Sequence, residues 1–322
     1  MIRWRKLAVP AETISTNFCK GAQNMTSNTS EDQITQNVLN SMAQTSDPRL
    51  RQVMTGLISH LHAFIREVAP TEEEWMLGIQ FLTQTGQMCD EKRQEFILLS
   101  DITGVSMLVD IINHRASDGA TESTVLGPFY REGAPELPMG ATISLDDRGE
   151  PAVVSGRVLS TDGTPIEGAL LDVWETNENG LYEQQDPAQP AMNLRGKFRT
   201  DHAGRYCFVG IKPVPYPIPT DGPAGQLQHA LGRHPFRPAH IHLRILAPGF
   251  AAVTTHLFVR SDPYLASDAV FATRDSLVVD FVRSTSADEA ARYGVRAPFS
   301  LVAYDFVLQP QESAGQRSIR DA

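Results

Sequence analysis

The chain has 322 residues, of which 41% are hydrophobic and 20% charged, enough for one large or two modest globular domains with an ample core. A formal charge of −10 argues against nucleic acid as a partner, and no apolar run approaches the length needed to cross a bilayer. Cys19, Cys89 and Cys207 are widely spaced with no Cys-x-x-Cys, which favours reduced thiols in a cytoplasmic compartment over a disulfide framework or a zinc site.

Residues 1–28 carry Arg3, Arg5, Lys6 and Lys20 without an apolar h-region. They read as a loosely attached extension rather than a secretory signal, with Met25 an alternative start. From 29 to 118 the period is helical. Leu50, Val53, Met54, Leu57, Ile58, Leu61, Phe64, Ile65 and Val68 recur at i, i+3, i+4 spacing, and Pro70 closes that helix. Thr71 with Glu74 forms a capping-box signature for a second helix. A third is expected over roughly 91–114, with Phe96, Leu99, Ile102, Leu108, Val109 and Ile112 as its apolar residues.

The second domain, 119–310, changes period to two after residue 150. Strands are expected at Ala152–Leu159, Ala169–Trp174, Lys197–Thr200, Arg205–Ile211, Ala239–Leu246, Val253–Arg260, Leu277–Val282 and Leu301–Leu308. Short strands separated by turn signals predict an antiparallel β-sandwich following the helical domain. Residues 212–238 form a long Pro/Gly-rich segment without clear periodicity, of a length that usually carries function. The tail 311–322 is polar.

His240-Ile241-His242 lies in the expected strand Ala239–Leu246. On a strand, alternation puts His240, His242 and Arg244 on one face and Ala239, Ile241, Leu243 and Ile245 on the other. Two such imidazoles have Cα atoms roughly 7 Å apart, close enough to share one metal ion. His60-Leu61-His62 sits in a helical pattern, where i and i+2 diverge, so it is not expected to chelate. His114, His202, His229 and His234 read as structural or exposed. No Asp or Glu occurs between His242 and Ser261, which leaves phenolates as the available anionic oxygen ligands nearby. Tyr216, in a proline-rich loop, and Tyr182, after Gly180-Leu181, are candidates. Taken singly they pass equally for a buttressed surface aromatic and a packing residue.

A set of ordered motifs resembles the intradiol ring-cleaving dioxygenases of the catechol family. They are Leu126-Gly127-Pro128-Phe129-Tyr130, Asp172-Val173-Trp174 with Gly180-Leu181-Tyr182, and Asn193-Leu194-Arg195-Gly196. Thr200-Asp201 with Gly204-Arg205-Tyr206, Asp221-Gly222-Pro223 and Arg237-Pro238-Ala239-His240-Ile241-His242 complete the set. The resemblance implies one non-haem ferric ion per subunit, held by Tyr182, Tyr216, His240 and His242. It implies a small aromatic diol or triol and O2 as substrates, and a homodimer formed through the helical domain. Bound phospholipid at the dimer interface is a further family property. Tyr216 is then also the ligand that leaves the metal and takes a substrate proton.

Within the family, Leu98 to Ser106 resembles the substrate-facing helix of the hydroxyquinol-cleaving subgroup. That implies ring cleavage of benzene-1,2,4-triol to 3-hydroxy-cis,cis-muconate, the enol of maleylacetate. Leu98 and Asp101 share a helical face and would present one apolar and one acidic group to the ring, with Asp101 accepting the third hydroxyl. Val125, Leu126, Gly127, Pro128, Phe129, Ile218, Pro219 and Val270 occupy further positions that line the family pocket, and His256 stands where catechol-type relatives commonly have Gln. Arg237 either stabilises negative charge developing on the substrate or fixes its loop through a carboxylate pair. The alternatives are a catechol or chlorocatechol 1,2-dioxygenase, and a non-catalytic prealbumin-like β-sandwich module suggested by Val154–Val158 and Gly163–Ala169. A zinc or copper hydrolase is disfavoured by the hard phenolate oxygens.

Overall fold

The computed structural model describes residues 30–90, 93–115 and 119–311. The expected extension 1–28 and the tail from 312 lie outside the described residues. Contacts divide the chain into two compact units, one ending at Met76 and the other beginning at Leu77.

The first unit contains α1 (Glu31–Ser41), α2 (Pro48–Val68) and the start of α3 (Glu72–Gln87). Each helix starts where a side chain satisfies otherwise free N–H groups. Ser30 and Gln33 form a capping box on α1, and Asp47 accepts from Arg49 N and Leu50 N ahead of α2. Thr71 and Glu74 bond reciprocally at the start of α3, at 2.9 and 3.2 Å, as the spacing predicts. His62 on α2 bonds Thr35 Oγ1 through Nδ1 at 2.9 Å. Along the apolar stripe of α2, Leu50, Val53, Leu57, Leu61, Phe64, Ile65 and Val68 remain 39–54% exposed, while Met54 and Ile58 are half-buried.

The expected third helix is two, α4 (Glu95–Ile102) and α5 (Val105–Asn113). The break falls at Gly104, whose φ of +75° reverses the chain. Hydrophobic spacing continues through the break, which is why the sequence reads as one helix.

The strands of the second unit are β1 (Pro151–Ser160), β2 (Leu170–Trp174), β3 (Arg195–Arg199), β4 (Arg205–Ile211), β5 (Tyr216–Pro217), β6 (Phe236–Arg237), β7 (His240–Leu246), β8 (Val253–Val259), β9 (Val278–Val279), β10 (Val282–Ser284), β11 (Phe299–Ala303) and β12 (Phe306–Leu308). Two helices unseen in the sequence pattern, α6 (Pro223–Ala230) and α7 (Ala287–Tyr293), lie among them. Both are about two turns long, too short for a 3.6-residue period to register.

One sheet has the order β10-β11-β1-β12 with β4 on β1, and the other β3-β2-β7-β8-β9. The sandwich is mixed rather than strictly antiparallel. β11 and β12 run parallel to β1 in one continuing register, Ala152 opposite Ser300 and Val158 opposite Phe306, and β9 runs parallel to β8. Alternation reads the same in either direction. The last strands return after a long excursion and are free to pair parallel. Between the sheets, Val154, Val158, Leu171, Val173, Phe198, Phe208, Ile241, Leu243, Ile245, Leu257 and Phe306 form one buried cluster. Burying each such side chain stabilises the fold by roughly 1.5–3 kcal/mol.

Candidate metal centre and substrate pocket

Ile241, Leu243 and Ile245 of β7 point into that core, so strand alternation turns His240 and His242 to the opposite face. Both are 2% exposed. The other side chains of that face come from the neighbouring strands. His256 on β8 stands opposite His242, and Phe258 opposite His240. Trp174 on β2 pairs with His242 and stacks on its ring at 4.7 Å and 15°.

Tyr182 arrives from the turn after β2. Asn177 Oδ1 accepts from Asn179 N and Leu181 N, each at 3.0 Å, and Gly180 takes a φ of +77°. A Cβ on Gly180 would lie 2.8 Å from Tyr216 Cβ, so both the turn and the approach of the second tyrosine require glycine. Tyr216 is brought in by the short β5–β6 ladder, where it pairs with Arg237 three residues before His240. Pro217 has no N–H to give this ladder and faces Phe236 with its carbonyl alone, while Ile218 N bonds Pro235 O at 2.9 Å. The segment without periodicity is therefore an ordered loop closed on itself.

The four side chains converge. Tyr182 Oη lies 2.8 Å from His242 Nε2 and 3.0 Å from Tyr216 Oη. Tyr216 Oη lies 3.3 Å from His240 Nε2, and the two Nε2 atoms are 3.1 Å apart. His240 Nδ1 is 2.6 Å from Pro238 O, which places its proton on Nδ1 and aims the Nε2 lone pair at the cluster. Burial holds all three imidazoles, His240, His242 and His256, neutral with pKa values well below the usual range. Burial, reinforced by Tyr216, raises the Tyr182 phenol well above its ordinary pKa, against the pull of Arg237 and Arg195.

Packing around these groups is specific. Phe129 stacks on Tyr182 at 4.5 Å, and Gly127 comes so close that a Cβ would lie 3.2 Å from His242 Cε1. Arg195 donates to Glu183 at 2.8 Å and to Phe129 O at 2.8 Å, fixing the residues that flank Tyr182. His256 Nδ1 bonds Thr124 Oγ1, while its Nε2 is buried without a partner. One donor nitrogen from each of His240, His242 and His256 falls within 4.8 Å of the others.

Arg237, 4% exposed, directs Nη1 to His240 Nε2 at 3.2 Å and meets Asp268 through Nε and Nη2 at 3.2 and 3.4 Å. Burial opposes its charge, but Asp268 and Tyr216 outweigh burial and raise its pKa. Asp101 is 4% exposed, and its pKa is raised by burial, with Ser106 and then Arg237 partly offsetting this and Asp268 adding to it.

Leu98, Val125, Ile218 and Val270 of the expected pocket share one buried cluster with Ile102, Phe258 and Ala269. Leu126 and Pro128 are exposed and Pro219 half-buried. Asp268, Thr124 and the Glu183–Arg195 pair were not singled out by sequence. Arg195 lies within a recognised motif, but nothing local marks Asp268 or Thr124 as partners of residues more than twenty positions away.

Residues 125–310 match the family described as "Dioxygenase", and residues 47–121 the one described as "Catechol dioxygenase N terminus". A hydroxyquinol 1,2-dioxygenase from Rhizobium sp. is 52% identical over 280 residues, 86% of this chain and 95% of the relative. A 6-chlorohydroxyquinol 1,2-dioxygenase from Cupriavidus pinatubonensis is 47% identical, covering 86% of this chain and 96% of the relative. The crystal structure of hydroxyquinol 1,2-dioxygenase from Pseudomonas putida DLL-E4 superposes with a TM-score of 0.82 at 50% identity, over 87% of this chain and 99% of that one. The fold and the clustered Tyr/His face are those of a ring-cleaving oxygenase. The chain belongs to the intradiol ring-cleavage dioxygenases.

Proposed function

We propose that the protein cleaves hydroxyquinol (benzene-1,2,4-triol) between its adjacent hydroxyls with O2, giving 3-hydroxy-cis,cis-muconate, which tautomerises to maleylacetate. The observation that carries this reading is the convergence of two phenols and two imidazoles, with a buried carboxylate, Asp101, that feels the charge of Arg237 from the same site, in a chain among whose relatives are hydroxyquinol 1,2-dioxygenases.

A ferric ion, one per subunit, fits Tyr182, Tyr216, His240 and His242. With the His240 proton on Nδ1, the two facing Nε2 atoms 3.1 Å apart repel each other unless His242 Nε2 carries hydrogen. That choice would leave His242 Nδ1 a bare acceptor, and Nδ1 is buried without a partner in either case. A cation between the nitrogens removes the repulsion. Two phenolic oxygens supply the hard anionic ligands that Fe(III) favours over Zn(II) or Cu(II). When bound, such an ion would be chelated by the two adjacent hydroxyls and would render the ring reactive toward O2.

The chain's own residues do the rest. Tyr182 is pinned by Phe129, by Gln185 on its backbone N–H and by the Arg195 frame. Tyr216 hangs from a two-residue ladder, so of the two it is the freer to move and, as a phenolate, would accept a substrate proton at Oη to become the neutral phenol. Arg237 Nη1 points at the cluster and stabilises negative charge developing on the substrate. The Asp101 carboxyl accepts the hydroxyl at carbon 4, a donor that burial would otherwise leave unpaired. Leu98, Val125, Ile218 and Val270 form the apolar wall that excludes water. His256, tethered to Thr124, offers its free Nε2 to a substrate oxygen. Gly127 and Phe129 approach from the loop that also bears Leu126 and Pro128, and Pro219 follows Ile218.

We place the protein in the cytoplasm as a homodimer joined through residues 29–118, with phospholipid at the interface. The exposed stripe of α2 supports the dimer, and the free thiols Cys89 and Cys207 support a reducing compartment; the phospholipid rests on family resemblance alone. Among the described residues, no helix is long and apolar enough to cross a membrane. Incubation with hydroxyquinol, catechol and chlorocatechol, with O2 uptake and product analysis, tests the substrate. Equimolar O2 consumption and the muconate product from hydroxyquinol, at the highest kcat/KM of the three, are expected. Faster turnover of catechol would replace hydroxyquinol as the substrate.

A further inference from the structure

We propose that Asp268 is a positioning residue that sets the Arg237 guanidinium and the pocket wall at Val270 as a single unit. The inference rests on the intradiol-cleavage reading above and adds to it a residue that does not touch the substrate.

Asp268 is 4% exposed, and both carboxylate oxygens are fully engaged. Oδ1 accepts from Arg237 Nε and from Val270 N, each at 3.2 Å. Oδ2 accepts from Arg237 Nη2 at 3.4 Å and from Ala272 N at 3.0 Å. Four donors on one carboxylate use its acceptor capacity completely, which leaves it no alternative orientation. Two of the donors belong to the guanidinium, and two to the turn that presents Val270, 3% exposed, to the cluster holding Leu98 and Ile218.

The turn is anchored a second time. Arg233 donates to Ala269 O at 2.9 Å and to Ile102 O at 2.6 Å, and its guanidinium lies 4.6 Å from the Phe271 ring centre. The segment 268–272 is therefore tied both to Arg237 and to α4, the helix that carries Leu98 and Asp101.

The electrostatic consequence follows from burial. An unpaired guanidinium beside a ferric site would face a second cation in a poorly screened interior. The Asp268 carboxylate neutralises it while engaging Nε and Nη2, and so leaves Nη1 as the donor turned toward the Tyr/His cluster. Rotation of the guanidinium by one donor position would break both bonds to Asp268. Asp268 thus selects which N–H group of Arg237 faces the substrate.

The test uses iron-loaded enzyme with three variants: Asp268→Asn, Arg237→Met, and the two combined. Asp268→Asn is expected to lower kcat for hydroxyquinol by about tenfold to a hundredfold, with KM changed by less than about threefold. Iron content and the visible absorption band stay as in the wild type, because no ligand is touched. The double variant is expected to lie within about threefold of Arg237→Met in kcat, since the effect of Asp268 on the chemical step passes through Arg237, while its bonds to Val270 N and Ala272 N shape the wall. It also leaves no uncompensated buried charge, so it folds even where Asp268→Asn does not. Wild-type kcat in Asp268→Asn overturns the proposal. So does a double variant that differs from Arg237→Met by more than about threefold, or an Asp268→Asn loss confined to KM. An inactive wild-type enzyme would instead remove the intradiol-cleavage reading.

Discussion

Replacement of Gly180 by alanine separates backbone strain from the packing that holds the two tyrosines together. Gly180 has a φ of +77°, and a Cβ there would lie 2.8 Å from Tyr216 Cβ. The left-handed conformation costs a non-glycine residue roughly 1–2 kcal/mol. The contact joins two atoms fixed close to their backbones, so relief requires a main-chain shift, at about 1–3 kcal/mol for overpacking. Gly168 is the control: its φ is +70°, and nothing lies within 4 Å of a Cβ there. Gly168→Ala should therefore lose about 1–2 kcal/mol, and Gly180→Ala about 2–5 kcal/mol, by urea unfolding of the metal-stripped protein. The extra loss has a functional counterpart. Moving Tyr216 widens its 3.0 Å approach to Tyr182, so only Gly180→Ala should retain less iron after dialysis against a chelator. Equal stabilities for the two variants, with wild-type iron retention in Gly180→Ala, would refute the reasoning.

Glu175 predicts a pH-dependent stability. Burial pushes its carboxyl up to about 8 from the ordinary 4.5, with a bond from Ile211 N only partly opposing. The native state keeps the proton through this window while the unfolded chain releases it. Stability is therefore highest below the unfolded pKa and declines as pH rises toward 8, by up to about 5 kcal/mol at ~1.4 kcal/mol per pH unit. Glu175→Gln should flatten that decline in melting temperature between pH 5 and 8; curves parallel to wild type would contradict it. Asp101→Ala should reduce kcat/KM for hydroxyquinol about tenfold more than for catechol, the worth of one charged hydrogen bond in a dry pocket. Equal losses on the two substrates would remove Asp101 from specificity.

The parts of the fold legible in the sequence are those governed by a local period. The face assignment along β7 follows from the alternation His240, His242, Arg244 against Ile241, Leu243, Ile245, and the Thr71–Glu74 box follows from its spacing. Features set by a single backbone conformation or by a distant partner were not legible. Gly104 interrupts an unbroken apolar pattern, and α6 hides in a segment whose prolines suppress any period. The parallel pairing of β1 with β11 and β12 depends on connectivity that alternation does not encode. The approach of Tyr216 to His240 depends on a ladder only two residues long. Asp268 lies 31 positions from Arg237, and only the requirement that a buried guanidinium find a counter-charge anticipates it. The four proposed ligands were reached through ordered motifs, since Tyr182 and Tyr216 taken singly resemble ordinary buried aromatics.

The proposal that Tyr182, Tyr216, His240 and His242 bind ferric iron is tested most directly by the visible absorption spectrum and iron content of the purified protein, before and after anaerobic addition of hydroxyquinol. One iron per subunit is predicted, with a tyrosinate-to-ferric charge-transfer band that colours the protein red, shifts when the triol binds, and is lost with the iron in Tyr182→Phe. A protein that remains colourless and iron-free after expression with added iron, or a band unchanged by both the triol and Tyr182→Phe, would contradict it.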